Sequence, residues 1–427
     1  MTPLARPRSL YALLISVGFF TQAVTAEDWT QFRGPLGNGH STAKGLPTLW
    51  NNDTNVTWKT AIPGQGWSSP VVQDGQIYLT AAVPVEESET NDMELTLLVV
   101  EAKNGQLVKE VSLFRQDGST APGIHGKNSH ASPTPILSAD RVFVHFGHQG
   151  TACVTTAGDL VWKNDSIQYP PVHGNGGSPV LVDGKVIFSC DGGESPFVVA
   201  LNQETGEIDW KVDRITDASR SFSFTTPLVI QVNDQTQVIS PGSGCVCAFD
   251  PQDGHEIWRC NYGEGYSVIP RPVFAHGLVY VCTGYGSPNL LAIRPDGNGD
   301  VTESHVAWEI NKRVPHTPSL LVVNDELYMV SDNGVASCLN AQTGEVHWQE
   351  RLEKSEGNDG FSASPLYADG RIYFQSENGT ATVVDADTNF NQVAVNDLGE
   401  RTLASYGVMH SALLIRSAQH LFCIESP

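Results

Sequence analysis

The residues best suited to chemistry are histidines that gather in one stretch of the chain. Five of the 13 histidines fall within residues 125–173. Three of them, His130, His148 and His173, stand next to strand-like runs, and Asp191 occupies the matching turn one repeat later. Imidazole and carboxylate groups ligate divalent metals, so these four residues form a candidate metal site. The alternative is that they are loop residues bonded to backbone or water.

A second candidate set consists of aromatic and polar residues near a recurring Ser-Pro or Thr-Pro step. This step opens each repeat, and in a ring of repeats such positions would surround a central funnel. Aromatic and polar groups that converge there would form a pocket for a small molecule or a peptide. The members are Trp67, His130, Asn175, Phe224, Tyr266, Arg271, His316, Phe361 and Tyr406. The alternative is that these residues pack against neighbouring repeats.

The remaining chemical motifs are informative mainly by elimination. The eight cysteines include no CxxC pair, no CxxCH haem site and no two adjacent residues. Several of them lie in strand-like runs, which favours buried free thiols. Cys245 and Cys247 would face the same side of one strand, an unfavourable geometry for a disulfide. We find no Gly-rich phosphate loop, GxSxG elbow or HExxH helix.

A repeat of 40 to 50 residues organises the chain around these candidates. Most copies begin with the Pro step, continue through two apolar runs separated by a turn such as DG, and end in a later turn, often TG, followed by a Trp. The repeated tryptophans are Trp162, Trp210, Trp258, Trp308 and Trp348. Lys109 stands at this position in the first copy. Period-two alternation and tight turns predict four short antiparallel strands in each copy.

These copies predict an all-β fold, an eight-bladed β-propeller of four-stranded antiparallel blades. Seven copies are full, and the eighth, residues 404–424, supplies only inner strands. Its missing Trp strand is at the other end of the chain, in residues 56–62, where Trp58 lies. We therefore expect the N-terminal strand to close the last blade. Residues 27–55 are expected to form an ordered wrap over one face.

The N-terminus and the charge predict an exported protein. Arg6 and Arg8, an apolar run and Val24-Thr25-Ala26 are typical of a signal peptide over residues 1–26, which leaves residues 27–427 as the propeller. The apolar run is too short for a membrane span. A formal net charge of −22 argues against nucleic acid as a partner. The expected location is periplasmic or extracellular.

The repeats resemble those of the pyrroloquinoline-quinone (PQQ) propeller family. The resemblance rests on the repeated Pro-step and TG–Trp segments and covers residues 27–427. The chain is similar in particular to secreted bacterial proteins that begin with a WxQFRGP motif, which here occupies residues 29–35. Two further branches share the fold. They are the quinoprotein alcohol dehydrogenases and, more distantly, the propeller lipoprotein of the outer-membrane β-barrel assembly machinery, which is a scaffold.

The resemblance to the dehydrogenases implies a vicinal cysteine pair, a calcium site of Glu, Asn and Asp, and a catalytic Asp. This sequence has no adjacent cysteines, so PQQ as a cofactor lacks that support. We therefore expect a non-enzymatic binding or scaffold propeller of the cell envelope. Its partner would be a protein or a small molecule, and it could associate peripherally with a membrane. The alternative is a quinone- or metal-dependent oxidoreductase.

Overall fold

The structure is a computed structural model that describes residue 1, residues 28–353 and residues 360–426. Residues 2–26 of the predicted signal peptide lie outside this part of the chain. The described residues form eight antiparallel sheets with at least four strands each, arranged as the eight blades of a propeller. The first strands of neighbouring blades contact one another around the axis, and the fourth strands lie outside. The all-β eight-bladed fold is thus confirmed.

Blades 1 to 4 follow one another along the chain, and each contains four consecutive strands. Their bounds are Val71–Gln73, Gln76–Pro84, Met93–Glu101 and Leu107–Gln116 in blade 1; Ile136–Ser138, Arg141–His145, Thr151–Thr155 and Leu160–Asn164 in blade 2; Val180–Val182, Lys185–Cys190, Phe197–Asn202 and Ile208–Asp213 in blade 3; and Leu228–Val232, Gln235–Pro241, Cys245–Phe249 and Glu256–Asn261 in blade 4. A 3₁₀ turn, Gly147–Gln149, interrupts blade 2.

Blades 5 to 8 continue this order, and blade 8 draws on both ends of the chain. Their bounds are Val273–Ala275, Leu278–Cys282, Leu290–Ile293 and Val306–Ile310 in blade 5; Leu321–Val323, Glu326–Val330, Val335–Asn340 and Val346–Arg351 in blade 6; Leu366–Ala368, Arg371–Gln375, Thr380–Asp385 and Gln392–Asp397 in blade 7; and Gly407–Met409, Ala412–Arg416, His420–Glu425 and Val56–Ala61 in blade 8. Two-residue strands add to blade 7 (His40–Ser41) and blade 4 (Gly299–Asp300) in parallel.

The N-terminal strand closes the ring as predicted. Val56–Ala61 pairs antiparallel with His420–Glu425 and places Trp58 opposite Cys423. This register matches the pairing of Trp348 with Cys338 in blade 6. The strand therefore supplies the outer strand that the C-terminal copy lacks, and it removes an open sheet edge from the last blade.

The repeated tryptophans dock each blade onto the next one. The Trp210 indole N–H donates to the Pro251 carbonyl of blade 4 at 2.9 Å. Trp58, Trp162, Trp308 and Trp348 make the same kind of bond to the following blade. A turn glycine that lies under an indole has to be Gly; a Cβ on Gly254, for example, would meet the Trp210 ring at 2.7 Å. The TG–Trp pattern is thus a blade-to-blade contact.

Lys109 takes over this role in blade 1. It pairs with Val99 in the register that Trp occupies elsewhere. Its Nζ donates to the Ala157 carbonyl of blade 2, and a Cβ on Gly158 would meet its Cδ at 2.5 Å. The aliphatic stem thus covers the turn glycine and the ammonium replaces the indole donor.

Residues 29–41, which we call the axial plug, enter the tunnel between the inner strands. The N–H groups of Val72, Leu137 and Tyr367 donate to plug carbonyls at 2.8–2.9 Å. His40 Nε2 lies 2.7 Å from the Val322 carbonyl oxygen. The blade residues of these contacts, Val72, Leu137, Tyr367 and Val322, are the second residues of the inner strands of blades 1, 2, 7 and 6. Residues 29–41 of the segment expected to wrap one face thus lie on the axis, where the inner strands have otherwise unpaired backbone groups.

All eight cysteines are buried and free, in keeping with their positions in strand-like runs. Buried apolar residues from adjoining blades form the core clusters, so the interior runs around the ring as a series of blade interfaces. Within the described part of the chain, no helix has the length and apolar character needed to cross a membrane.

Candidate functional site

An axial funnel of about 360 Å³ opens on the face of the propeller opposite the plug. Its walls come from the extended segments that lead into the inner strands. Alternate residues of an extended segment face the same side, so seven of the eight blades contribute two stacked positions to the funnel and blade 5 contributes one. The upper positions are Trp67, Ser132, Gly176, Phe224, Ile269, Thr317, Ser362 and Leu403.

The lower positions form a belt of hydroxyl groups that we call the hydroxyl ring. Each member lines the cavity and stands two residues later in the sequence than the upper position of the same blade. The members are Ser69, Thr134, Ser178, Thr226, Ser319, Ser364 and Ser405. Every member is at most 7% exposed. In blade 5 the equivalent position is Arg271, which has no hydroxyl.

Each hydroxyl of the ring accepts a hydrogen bond from a backbone N–H of the preceding blade. The N–H of Ser69 donates to Thr134 Oγ1 at 3.0 Å, and the N–H of Ser405 donates to Ser69 Oγ at 3.2 Å. The other five bonds measure 2.9–3.1 Å. The Ser/Thr-Pro step of the sequence is therefore a blade-to-blade contact on the axis.

Aromatic rings form an arc around the mouth of the funnel. The ring centroids of His173 and Phe222 are 5.4 Å apart, those of Phe222 and Tyr266 are 5.6 Å apart, and those of Tyr266 and Tyr285 are 6.3 Å apart. Trp67 and Phe224 add two further rings below them. Such an arc offers stacking surfaces to a planar group or an aromatic side chain.

The charges at the mouth are mostly positive. Lys127 lines the cavity and pairs with Glu377 at 2.7 Å. Arg220 also lines the cavity, and its Nη1 donates to the Tyr266 hydroxyl at 2.6 Å. Arg401 stacks over the Trp67 ring, 5.7 Å from its centroid. None of the described residues that line the cavity is Asp or Glu, although the chain has 47 of them.

The plug forms the floor of the funnel over two buried arginines. Phe32 lines the cavity, and its carbonyl accepts a hydrogen bond from Arg271 Nη1 at 2.9 Å. Arg33 donates to the Leu320 carbonyl, while its Nε and Nη1 have no partner among the described residues. Burial lowers the pKa of Arg33 to about 9, with a contribution from Arg271, and burial lowers the pKa of Arg271 to about 10. Neither is in an ion pair with a described carboxylate.

Three of the nine predicted funnel residues line the cavity, namely Trp67, Phe224 and Tyr266. Arg271 lies beneath the floor. His316 stacks beside the mouth on Tyr285, with ring centroids 4.3 Å apart. The remaining four lie elsewhere. His130 is half-buried near His148; Asn175 bonds to Tyr169 and His148; Phe361 is fully buried; and Tyr406 packs against Tyr373 in the core.

Sequence reasoning missed most of the lining. The aromatic and basic residues of the mouth, such as Phe222, Tyr285 and Arg220, lie in loops outside the repeat pattern. The hydroxyl ring did leave a signal, because five of its seven Ser and Thr residues stand immediately before proline. That signal marked the start of each repeat, and only the ring closure shows that the side chains share one cavity.

The predicted metal residues have separate partners. Asp191 forms a buried salt bridge with Arg214 at 3.0 Å, and His173 packs edge-on against His125 with ring centroids 5.6 Å apart. His148 Nδ1 lies 3.1 Å from Asn175 Nδ2. Among residues 28–353 and 360–426, no three His, Cys, Asp or Glu side chains are grouped so as to hold a metal ion. The predicted set of His130, His148, His173 and Asp191 is thus divided among different partners in the described part of the chain.

Two thiols lie close together away from the funnel. Cys245 Sγ and Cys247 Sγ are 3.8 Å apart on the third strand of blade 4. The hydrogen bond with Cys247 and the nearby Arg214 lower the pKa of Cys245 to about 7. Both residues are fully buried, so the pair is closed to solvent.

Comparison with known proteins gives both a family match and relatives of two kinds. The profile described as "Outer membrane protein assembly factor BamB" matches residues 96–308 and 300–390, more than half of the chain. A protein of that name from Yersinia pestis is 24% identical over 221 residues, 47% of this chain and 52% of the relative. The dehydrogenase subunit of a quinone alcohol dehydrogenase from Komagataeibacter europaeus is 30% identical over 155 residues, 34% of this chain and 19% of that protein.

The fold comparison shows a likeness in fold and adds no function. The crystal structure of BamB from Moraxella catarrhalis superposes with a TM-score of 0.57 at 12% identity, over 86% of this chain and 99% of that one. At this identity the likeness shows the fold alone. This chain spans about half the length of the curated assembly factors that it matches.

Proposed function

The chain belongs to the PQQ-repeat family described as outer membrane protein assembly factor BamB, and from this premise we propose that it is a non-enzymatic binding propeller of the cell envelope. Its ligand would enter the axial funnel. The relatives' name refers to outer membrane protein assembly, which supports an exported location and protein partners for this chain. We further propose that the protein associates peripherally with a membrane.

The observation that carries the proposal is the donor set of the funnel. Aromatic rings, hydroxyls and basic side chains line it, and none of its described lining residues is Asp or Glu. Such a lining can bind by stacking and hydrogen bonding. The alternative function is that of a quinone-dependent dehydrogenase. The family resemblance implies that carboxylates in such an enzyme hold calcium and serve as the catalytic base.

The residues of the funnel do not fit that cofactor arrangement. Calcium is held by several oxygen ligands, among which carboxylates dominate. Two carboxylates contact lining residues and are already engaged. Glu377 pairs with Lys127 and accepts a hydrogen bond from the Ser362 hydroxyl at 2.6 Å, and Asp332 accepts one from the Thr317 hydroxyl at 2.6 Å. A base for alcohol oxidation would also have to lie within hydrogen-bonding reach of the substrate. We therefore assign no redox step to this cavity.

Photo-crosslinking in the native envelope tests the proposal. A photoreactive amino acid at Phe222, in the funnel mouth, is compared with the same group at Val346, which is 45% exposed on the outer strand of blade 6. We expect a specific adduct at Phe222 that excess unmodified protein competes away, and none at Val346.

A dye-linked alcohol oxidation assay with added PQQ and calcium examines the alternative directly. We expect no turnover above the protein-free rate. Turnover that disappears when Phe222 or Tyr266 is replaced by Ala would place a redox reaction in the funnel and contradict the proposal. Equal crosslinking at Phe222 and Val346 would also contradict it, because the funnel would then have no specific ligand.

A further inference from the structure

The hydroxyl ring has hydrogen-bonding capacity that the fold does not use. A hydroxyl group has one donor and two acceptor positions. Each of the seven ring oxygens accepts a backbone N–H, and within the described residues none of the seven donates its own O–H to another group. All seven line the cavity and are more than nine-tenths buried. The accepted bonds hold the oxygens in place, and their hydrogens remain available to a group on the axis.

Positive charge reinforces this array of donors from both sides. Below the floor, Arg271 lies one peptide group away from the cavity, and Arg33 beside it has two unpartnered nitrogens. Above, Arg220 and Lys127 line the mouth. The protein has a formal net charge of −22, yet no described carboxylate lines this space. Lys127 is paired with Glu377, but Arg33, Arg220 and Arg271 are in no ion pair with a described carboxylate. Hydroxyl donors beside such cations are suited to an anion.

We propose that the hydroxyl ring is an oxyanion site that seats a carboxylate or phosphate group of the funnel's ligand. This inference rests on the proposed function, since it takes the funnel as the place of binding. The aromatic arc would hold the remainder of the ligand nearer the mouth. The ligand class is therefore a small molecule or peptide with an anionic end and an apolar or planar body.

Three probes that share a phenyl ring and differ in charge separate the contribution of the anionic group to binding from that of aromatic stacking. Isothermal titration calorimetry of the full exported protein compares phenyl phosphate, benzoate and neutral benzyl alcohol. We expect at least one anion to bind ten or more times more tightly than benzyl alcohol, with affinity that falls as salt is added. The tighter of the two anions distinguishes a phosphate ligand from a carboxylate ligand.

Two serines of blade 6 give a matched pair of variants. Ser319 in the ring accepts the N–H of Arg271 at 3.0 Å, and Ser331 outside the cavity accepts the N–H of Val335 at 3.1 Å. Both are buried. Ser319→Ala should weaken anion binding about tenfold, the effect of losing one hydrogen bond to a charged group. Ser331→Ala should leave anion binding unchanged. If Ser319→Ala lowers the melting temperature, Ser364→Ala repeats the test at another position of the hydroxyl ring.

The outcomes separate this site from the proposed function. Equal binding of benzyl alcohol, or ring variants without effect, would overturn the oxyanion site. Failure of all three probes to bind, with the Phe222 crosslink retained, would also overturn it and leave the binding propeller intact. Loss of the crosslink as well would remove both proposals.

Discussion

His145 ends the second strand of blade 2 with 2% of its surface exposed. Its Nδ1 lies 2.8 Å from Thr151 Oγ1, and its ring packs on Phe188 with centroids 4.2 Å apart. Burial, with a smaller contribution from His148, lowers its pKa from 6.5 to about 3. The folded protein thus holds a neutral imidazole that the unfolded chain would protonate at mildly acidic pH.

This histidine should make the propeller acid-sensitive. Since its folded pKa is below its unfolded one, stability is full above about pH 6.5 and falls as the pH drops toward 3. At about 1.4 kcal/mol per pH unit, the loss between pH 8 and pH 5 is about 2 kcal/mol. Urea unfolding at several pH values should show that His145→Gln removes this part of the pH dependence.

The matched control is His347→Gln, because His347 is exposed on an outer strand. It should keep the wild-type pH profile. An unchanged profile in His145→Gln would show that the imidazole is protonated in the folded state or that other groups dominate.

The blade interface repeats one arrangement with different side chains. Trp210 and its equivalents donate to a carbonyl of the next blade and cover a turn glycine. Lys109 reproduces both contacts in blade 1. Trp258 departs from the pattern, since its indole donates to Gln237 Oε1 of its own blade at 2.9 Å while Gln237 Nε2 bonds to Pro295. Blade 5 therefore contacts this tryptophan through a glutamine bridge.

Truncation of these tryptophans should be costly. We expect Trp210→Ala and Trp258→Ala each to lower the free energy of unfolding by about 3–5 kcal/mol, the range for large-to-small changes in a core. Chemical denaturation measures the change. Ile208→Ala, two residues away on the same strand and 45% exposed, should change it by less than about 0.5 kcal/mol. Variants of normal stability that had lost a ligand would instead assign the tryptophans to binding.

The whole molecule is held as a ring by its N-terminal segment in two ways. Residues 29–41 tie blades 1, 2, 6 and 7 together inside the tunnel. Val56–Ala61 then completes blade 8. Lys59 of this strand pairs with Glu400 at 2.7 Å, a partly exposed contact that adds little by itself. Ring closure thus depends mainly on backbone pairing and on the packing of Trp58.

Two deletions separate the plug from the closing strand. Removal of residues 28–60 should expose the edge of blade 8 and cause aggregation or loss of cooperative unfolding. Removal of residues 28–55 keeps the closing strand and should give a less stable monomer with an open funnel floor. Light scattering and thermal unfolding distinguish the two. A monomeric protein with unchanged melting after the longer deletion would show that closure does not need the N-terminal strand.

The repeats, the blade number and the closing strand were determined by the sequence itself. Each blade is built from contacts between residues close in the chain, and its Pro step, turns and Trp recur at a readable spacing. Trp58 and the incomplete copy at residues 404–424 together predicted which segment closes the ring.

Most of the residues that line the funnel were decided by the tertiary structure. Its ring includes the bond from the Ser405 N–H to the Ser69 hydroxyl, which joins residues 336 positions apart. Its floor comes from the plug, and its mouth comes from loops that follow no repeat. Repetition predicts what each blade contains, but the ends of eight blades meet only on the axis. The side chains that share that space are therefore set by closure of the ring and not by any local pattern.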